Sequence, residues 1–248
     1  MWVPDEIRKC VAFVMYASSE PEKPDTFAGT AFWVTQESDR IEDFHFGYVV
    51  TASHVIVKCQ EESVDGRVYL RLNTTEGGTS TAFTEPNQWF RHPDDTSVDI
   101  GVLPALPDEE GIDWKSIPDK MAVTQEVIEE HDVSVGDDLF LPGLFAPHNV
   151  GVGRNVPIVR VGNIAAMPEG QVRTRHFGKI EAYLVESRSI GGLSGSPVFV
   201  DLRGQRAGTL KIGGPSFFLL GVMQGHWDHY GDLPEYDLAS HEDEERRR

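Results

Sequence analysis

Apolar residues along this chain occur in short runs, several of which alternate with polar residues. Residues 67–72, Arg-Val-Tyr-Leu-Arg-Leu, alternate in the way expected of a strand with one buried face. The Asp-Gly pair at 65–66, directly before this run, is a typical turn sequence. Similar runs recur along the chain, separated by 24 glycines and 15 prolines. This pattern predicts many strands joined by turns rather than long helices.

The predicted strands fall into two series. The first lies between residues 8 and 103 and the second between residues 138 and 223. Residues 104–120 are rich in proline and charge, which is typical of a linker, and residues 123–130 suit either a short helix or an irregular connection. We therefore expect an all-β fold of two tandem antiparallel β-barrels. The expected divisions are an N-terminal barrel at 1–110, a linker at 111–133, a C-terminal barrel at 134–236 and a charged tail at 237–248.

The charge of the chain bears on its partners. Lys and Arg number 22 and Asp and Glu number 40, which gives a net charge of −18. Such an acidic protein is not expected to bind a nucleic-acid backbone or an anionic membrane. A mildly cationic substrate would be attracted to such a protein, but an acidic surface that serves solubility alone is the favoured interpretation.

Cysteine content and the N-terminal segment bear on the compartment. Cys10 and Cys59 are the only cysteines, too few for a disulfide framework. Residues 10–17 are apolar, but Asp5 and Glu6 precede them, so this segment is interpreted as the first strand and not as a signal peptide. No run reaches the roughly 18–20 apolar residues of a membrane span. These features lead us to expect a cytoplasmic protein.

Three short motifs contain residues suited to nucleophilic catalysis. Residues 51–54, Thr-Ala-Ser-His, end in His54; residues 98–103, Val-Asp-Ile-Gly-Val-Leu, contain Asp99; and residues 192–197, Gly-Leu-Ser-Gly-Ser-Pro, contain Ser194. A serine hydroxyl needs a histidine base, a carboxylate that orients the histidine, and donors for the developing oxyanion. Each motif also has a structural interpretation: a core histidine, an aspartate that caps a turn, and a glycine-rich loop before a strand.

The glycines around Ser194 make its motif the most specific of the three. They allow the backbone to turn tightly and direct the N–H groups of Gly192 and Ser194 toward one point, as an oxyanion hole requires. The motif is not the nucleophile elbow of α/β-hydrolases, because position 196 is Ser and the order of the three residues is His, Asp, Ser.

Taken together, these motifs resemble those of the trypsin-like (chymotrypsin-fold) serine peptidases, in particular their stand-alone bacterial members. The resemblance extends over residues 8–230 and includes Gly-Thr-Ala-Phe at 29–32 and Leu-Gly-Val-Met-Gln-Gly at 220–225. It implies two perpendicular six-stranded barrels with the active site in the cleft between them. It also implies that His54, Asp99 and Ser194 form a catalytic triad and that no cofactor is needed.

The same resemblance suggests where a substrate would bind. Gln224, Gly225 and His226 would pair with the backbone of an extended peptide. Arg188 falls near the base of the specificity pocket, where an inward-facing arginine would favour acidic side chains, but an arginine that faces solvent is the favoured interpretation. Leu193 stands where zymogen-type relatives have an aspartate, so we expect no activation by N-terminal cleavage. A metal site at the histidines of residues 226–229 is not expected, because no third strong ligand is evident.

The expected function is therefore that of a serine endopeptidase that cleaves protein or peptide substrates through an acyl-enzyme. An alternative from another class is a catalytically silent or partner-activated peptide-binding module with the same fold. Whether an activating protein partner is required stays an open question, because the sequence indicates no appended recognition domain that could supply specificity.

Overall fold

The computed structural model describes residues 3–107, 110–174, 178–187, 192–203, 205–206, 209–210 and 217–225. In the N-terminal half, eight strands form one sheet, in the order β5-β4-β1-β2-β3-β7-β6, with β8 attached to β2. All neighbours are antiparallel except β8, which runs parallel to β2. The strands are β1 Val11–Tyr16, β2 Thr26–Glu37, β3 His45–Thr51, β4 Val68–Asn73, β5 Thr79–Thr84, β6 Phe90–Arg91, β7 Gly101–Pro104 and β8 Ile117–Pro118.

The C-terminal half forms a second antiparallel sheet of five strands, in the order β13-β10-β9-β14-β17. Two short hairpins, β11–β12 and β15–β16, lie outside this sheet. The strands are β9 Asp138–Gly143, β10 Ile158–Ala166, β11 Gln171–Thr174, β12 Gly178–Glu181, β13 Leu184–Ser187, β14 Pro197–Asp201, β15 Gln205–Arg206, β16 Thr209–Leu210 and β17 Phe217–Val222.

Helices are short and lie between strands. The α-helices are α1 Ser53–Glu62, α2 Gln125–His131 and α3 Ala146–Asn149, and the 3₁₀ turns are Asp5–Cys10, Pro86–Gln88 and Asp119–Met121. The Thr124 hydroxyl accepts a hydrogen bond from the N–H of Val127 and so caps α2, while Asp132 ends this helix in the left-handed conformation. No helix within the described ranges is long and apolar enough to cross a membrane.

The segment expected to be a linker contacts both sheets. Ile117 pairs with Val34 of β2, and Ala122 bridges to Leu219 of β17, where the N–H of Val123 also donates to the carbonyl of Leu219. The connection is therefore hydrogen-bonded to both halves along its length.

The two sheets pack on each other through an apolar cluster. Phe140 and Phe199 of the second sheet stack with ring centroids 5.0 Å apart, and both belong to the cluster that contains Phe32 and Val50 of the first sheet. Stacked aromatic pairs of this kind contribute about 0.5–1.5 kcal/mol beyond the burial of their surface. This cluster fixes the position of β2 and β3, which lead to the candidate site, relative to β14, which follows Ser194.

The predicted all-β fold of two antiparallel units is confirmed. The hydrogen-bonded strands divide as eight and five rather than six and six, and no closing strand pair joins the ends of either sheet in the described part. In the first half, the unexpected strand is β8, which has only two residues and lies in the segment that was expected to be a linker. In the second half, the two hairpins pair only with themselves.

Candidate active site

His54 is the second residue of α1, and this helix directly follows β3. The apolar run of residues 48–52 is typical of a strand that ends next to His54, and no helix was predicted after it. The first N–H groups of a helix have no partner within the helix, and Ala52, the residue that precedes α1, has no side chain that could bind them. The start of α1 therefore needs an acceptor from elsewhere in the fold.

Asp99 supplies that acceptor and also binds the imidazole. Its Oδ1 accepts the backbone N–H of His54 at 2.8 Å, and its Oδ2 lies 2.6 Å from Nδ1 of the same residue. The Asp99 side chain is 2% exposed and that of His54 is 32% exposed, so the carboxylate is buried while the imidazole reaches the surface. A buried carboxylate is unfavourable unless it is paired. These two contacts cap the start of α1 and hold the imidazole of His54, whereas the sequence analysis considered a turn cap or a carboxylate that orients a histidine.

Asp99 lies in an irregular segment two residues before β7, and not within a strand as its apolar neighbours suggested. The backbone of this segment is attached to the same helix, because the carbonyl of Asp99 accepts the N–H of Ser53 at 3.3 Å. The carboxylate therefore has little freedom to move relative to the imidazole.

Ser194 lies in a loop that leads into β14. The backbone of this loop is held from several directions. The carbonyl of Ser194 accepts the N–H of Thr30 at 2.9 Å, the N–H of Gly195 donates to the carbonyl of Met223 at 2.8 Å, and the N–H of Ser196 donates to the carbonyl of Leu193 at 2.8 Å. Because Thr30 belongs to β2 and Met223 follows β17, both sheets position this loop.

Two glycines bring the Ser194 loop against the start of α1. Gly195 has a φ of +83°, and a Cβ there would lie 2.1 Å from the carbonyl oxygen of Thr30 and 3.1 Å from the backbone nitrogen of Ala52. A Cβ at Gly29 would lie 2.8 Å from the Ser194 carbonyl and 2.9 Å from Cγ2 of Val55. Only glycine permits this spacing. The loop that carries Ser194 therefore packs next to the helical turn that carries His54.

Two further features of Ser194 concern hydrogen bonding. Within the described residues, no hydrogen bond joins the Ser194 hydroxyl to the His54 imidazole. Such contacts are often long without substrate and shorten when it binds. The backbone N–H groups of Gly192 and Ser194 donate to no group in the described part of the chain. Gly192 has a φ of +106°, a conformation that favours glycine.

The side chain of Leu193 is buried in the apolar core of the second sheet. It is 2% exposed and belongs to the apolar cluster that contains Leu139, Leu141, Val198 and Met223. Burial of a leucine stabilises a fold by about 1.5–3 kcal/mol. The loop is thus attached to the second sheet by an apolar side chain at the position where the sequence analysis noted the absence of an aspartate.

The residues expected to bind substrate are only partly described. Gln224 and Gly225 follow Met223, which contacts the Ser194 loop through its N–H and its carbonyl. Nε2 of Gln224 is buried and has no partner among the described residues, and Gly225 is exposed. The two remaining candidates, Arg188 and His226, lie outside the described residues.

Sequence reasoning missed Thr30 as a residue of this site. Its hydroxyl contacts the backbone of both Gly192 and Leu144, and its exposure is 0%. The signal in the sequence was a single hydroxyl residue inside the apolar run 28–34, which was interpreted only as part of a strand.

Neither cysteine is suited to act as an alternative nucleophile. Burial raises the pKa of the Cys59 thiol to about 12 and that of the Cys10 thiol well above its usual range. Both thiols are free and buried. The thiolate is the reactive form, so these groups are inert in the folded protein. No group of three potential metal ligands occurs among the described residues.

We expect iodoacetamide at neutral pH to leave Cys10 and Cys59 unmodified in the native protein and to alkylate both after unfolding in urea. Intact-mass measurement gives the number of adducts in each case. Rapid alkylation of the native protein would show that one of the thiols is accessible and would contradict the burial described above.

Comparison with known proteins gave matches only among solved structures. No protein-family profile and no curated protein matches the chain. The two structures that follow are HtrA/Deg-type trypsin-like serine proteases, the class that the sequence resemblance named.

One similar structure is that of Deg5, with 16% identity, coverage of 78% of this chain and 75% of that chain, and a TM-score of 0.47. The other is that of a variant of the HtrA-type protease AlgW with a decapeptide, with 16% identity, coverage of 90% of this chain and 57% of that chain, and a TM-score of 0.48.

Proposed function

We propose that this protein is a serine endopeptidase in which Ser194 is the nucleophile, His54 the general base and acid, and Asp99 the carboxylate that orients the imidazole. The observation that carries the proposal is the double contact of Asp99 with His54, through the backbone N–H at 2.8 Å and Nδ1 at 2.6 Å. A carboxylate in this position keeps the proton on Nδ1 and leaves Nε2 free to accept one.

The proposed reaction begins with attack of the Ser194 hydroxyl on the scissile carbonyl carbon, while Nε2 of His54 takes the hydroxyl proton. The carbonyl oxygen becomes an oxyanion, and the N–H groups of Gly192 and Ser194 bind it. The C–N bond then breaks and His54 gives its proton to the leaving amine. Water attacks the resulting ester by the same route, which releases the acid and restores the Ser194 hydroxyl. Asp99 stays ionised throughout and stabilises the imidazolium.

For substrate binding, the proposal uses the segment after β17. An extended peptide would pair with the backbone of Gln224 and Gly225, as in strand addition to a sheet edge. This is supported by the two hydrogen bonds that join Met223 to the Ser194 loop, since they hold the segment beside the nucleophile. In this proposal residues 1–110 contribute His54 and Asp99, residues 134–236 contribute Ser194, and residues 111–133 connect the two units.

A second candidate is a silent or partner-activated peptide-binding module. It is favoured by the missing hydrogen bond between Ser194 and His54 within the described residues. In this case the cleft would bind a peptide without cleaving it until a protein partner completes the site.

The two candidates differ in their reaction with a fluorophosphonate probe. We expect the probe to label the wild-type protein and not the Ser194→Ala variant, because only an activated serine displaces fluoride from phosphorus at an appreciable rate. The His54→Ala variant should label far more slowly. Wild-type protein that is folded by circular dichroism yet takes up no probe would exclude the active peptidase and favour the binding module.

A further inference from the structure

A buried hydroxyl of the first sheet contacts the backbone on both sides of the proposed catalytic centre. Thr30 lies in β2 with an exposure of 0%. Its neighbours across the contact are not side chains but backbone groups of the second half of the chain, in the segment after β9 and in the Ser194 loop. A polar group in such a place is costly unless all of its hydrogen bonds are made.

The hydroxyl of Thr30 uses its capacity both to donate and to accept. It donates to the carbonyl of Gly192 at 3.0 Å and accepts the N–H of Leu144 at 3.0 Å. A threonine hydroxyl has one donor and two acceptor positions, so one donated and one accepted bond is an arrangement that a serine could also make and a valine could not.

The backbone of Thr30 adds two more contacts. Its N–H donates to the carbonyl of Ser194 at 2.9 Å, and its carbonyl accepts the hydroxyl of Thr51 at 2.6 Å. Thr51 ends β3, three residues before His54. Thr30 is therefore hydrogen-bonded to the Ser194–Gly195 peptide, to the Gly192–Leu193 peptide, and to the strand that leads to His54.

We infer that Thr30 is a positioning residue for Ser194 and for the N–H groups proposed to bind the oxyanion, an inference that rests on the proposed peptidase function. The hydroxyl fixes the orientation of the Gly192–Leu193 peptide, and the N–H fixes that of the Ser194–Gly195 peptide. Ser194 lies between these two peptides, so its position relative to His54 is set by a residue that does not itself contact substrate.

The segment after β9 reinforces this arrangement. A Cβ added to Gly192 would lie 3.0 Å from the carbonyl oxygen of Leu144, so Leu144 and Gly192 are in close backbone contact next to the Thr30 hydroxyl. Removal of the hydroxyl would leave the carbonyl of Gly192 and the N–H of Leu144 without their partner at this contact. An unpaired buried group favours any rotation that restores a hydrogen bond. For Gly192, at a φ of +106°, such a rotation would turn the loop away from its present geometry.

The test compares Thr30→Val, which keeps the shape and removes the hydroxyl, with Thr30→Ser, which keeps the hydroxyl. The matched control is Thr35→Val, on the same strand, where the hydroxyl donates to Ser116 at 3.0 Å and does not touch the loop. Small displacements of reacting groups reduce rates by on the order of 10²-fold. We expect Thr30→Val to lower kcat for a cleaved peptide, and the rate of fluorophosphonate labelling, by roughly 10- to 100-fold. KM should change little, and both Thr30→Ser and Thr35→Val should stay near wild type.

The outcomes separate this inference from the proposed function. If the wild-type protein is not labelled, the peptidase proposal fails and this inference fails with it. If the wild-type protein is labelled, and the Thr30→Val variant is folded and is labelled equally fast, only the positioning role is overturned. An equal loss of kcat in Thr35→Val would attribute the effect to general destabilisation and would also overturn it. Should Thr30→Val not fold, Thr30→Cys, whose thiol is a weak donor, takes its place against Thr30→Ser; equal labelling of these two would contradict the inference.

Discussion

Replacement of Ser194 by alanine is expected to lower kcat for a cleaved peptide by on the order of 10⁶-fold. The reason is that the other serine of this motif, Ser196, is fully buried and cannot reach a substrate to form the acyl-enzyme. The Ser194 side chain is partly exposed and its loop packs beside the turn that carries His54. Steady-state hydrolysis of a peptide identified by library cleavage gives the rate, with KM measured in parallel.

Ser196 provides the matched control within the same motif. Its hydroxyl is fully buried and has no hydrogen-bond partner in the part of the chain that the structure describes. The Ser196→Ala variant therefore loses no hydrogen bond and should cleave the peptide within a few-fold of the wild-type rate. A small effect of Ser194→Ala, or a larger effect of Ser196→Ala, would show that Ser194 is not the nucleophile.

The second large effect is expected for Asp99→Asn, which should lower kcat by about 10⁴-fold at neutral pH. Asp99 accepts two hydrogen bonds, one from the backbone N–H of His54 and one from its Nδ1. Asparagine has only one accepting end. If its carbonyl oxygen binds the backbone N–H, its NH₂ group faces Nδ1, and the proton of the imidazole moves to Nε2. In that tautomer His54 cannot take the proton of Ser194.

Asp95→Asn is the control for this substitution. Asp95 is exposed and lies four residues before Asp99, and its carboxylate accepts hydrogen bonds only from the N–H and hydroxyl of Ser97 among the described groups. Its replacement should leave kcat unchanged. Near wild-type activity of folded Asp99→Asn would mean that the carboxylate serves only to cap the start of α1, a structural role like the turn cap considered from sequence.

Much of the fold could be predicted because the strands have local signals. Residues 68, 70 and 72 are apolar at every second position, and β4 was found there as Val68–Asn73, although Tyr69 on the other face is buried as well. The helix α1 could not be predicted in the same way, because Val55 and Ile56 continue an apolar stretch that suits a strand equally well. What makes this segment helical is tertiary: Asp99, 45 residues away, binds the N–H of His54 in its first turn.

The candidate residues His54, Asp99 and Ser194 were identifiable because each has small or apolar neighbours that are unusual for a solvent-exposed polar residue. Thr30 also has small and apolar neighbours, but they fit an ordinary strand position and do not indicate the role inferred for it. The two groups that bind its hydroxyl lie 114 and 162 residues further along the chain. Both are backbone groups, so these contacts do not depend on which residue types stand at those positions. Contacts of a side chain with distant backbone can be recognised only once the fold is known.

The central claim is that Ser194, His54 and Asp99 act as one unit, and the double variant Ser194→Ala with Asp99→Asn tests it most directly. Residues that act in one catalytic step are strongly non-additive, so removal of the second adds little once the first is gone. We predict that the double variant retains the same residual rate as Ser194→Ala alone. A double variant slower than Ser194→Ala by the full factor that Asp99→Asn causes in the wild-type background would show that the two side chains contribute independently, and would contradict the account.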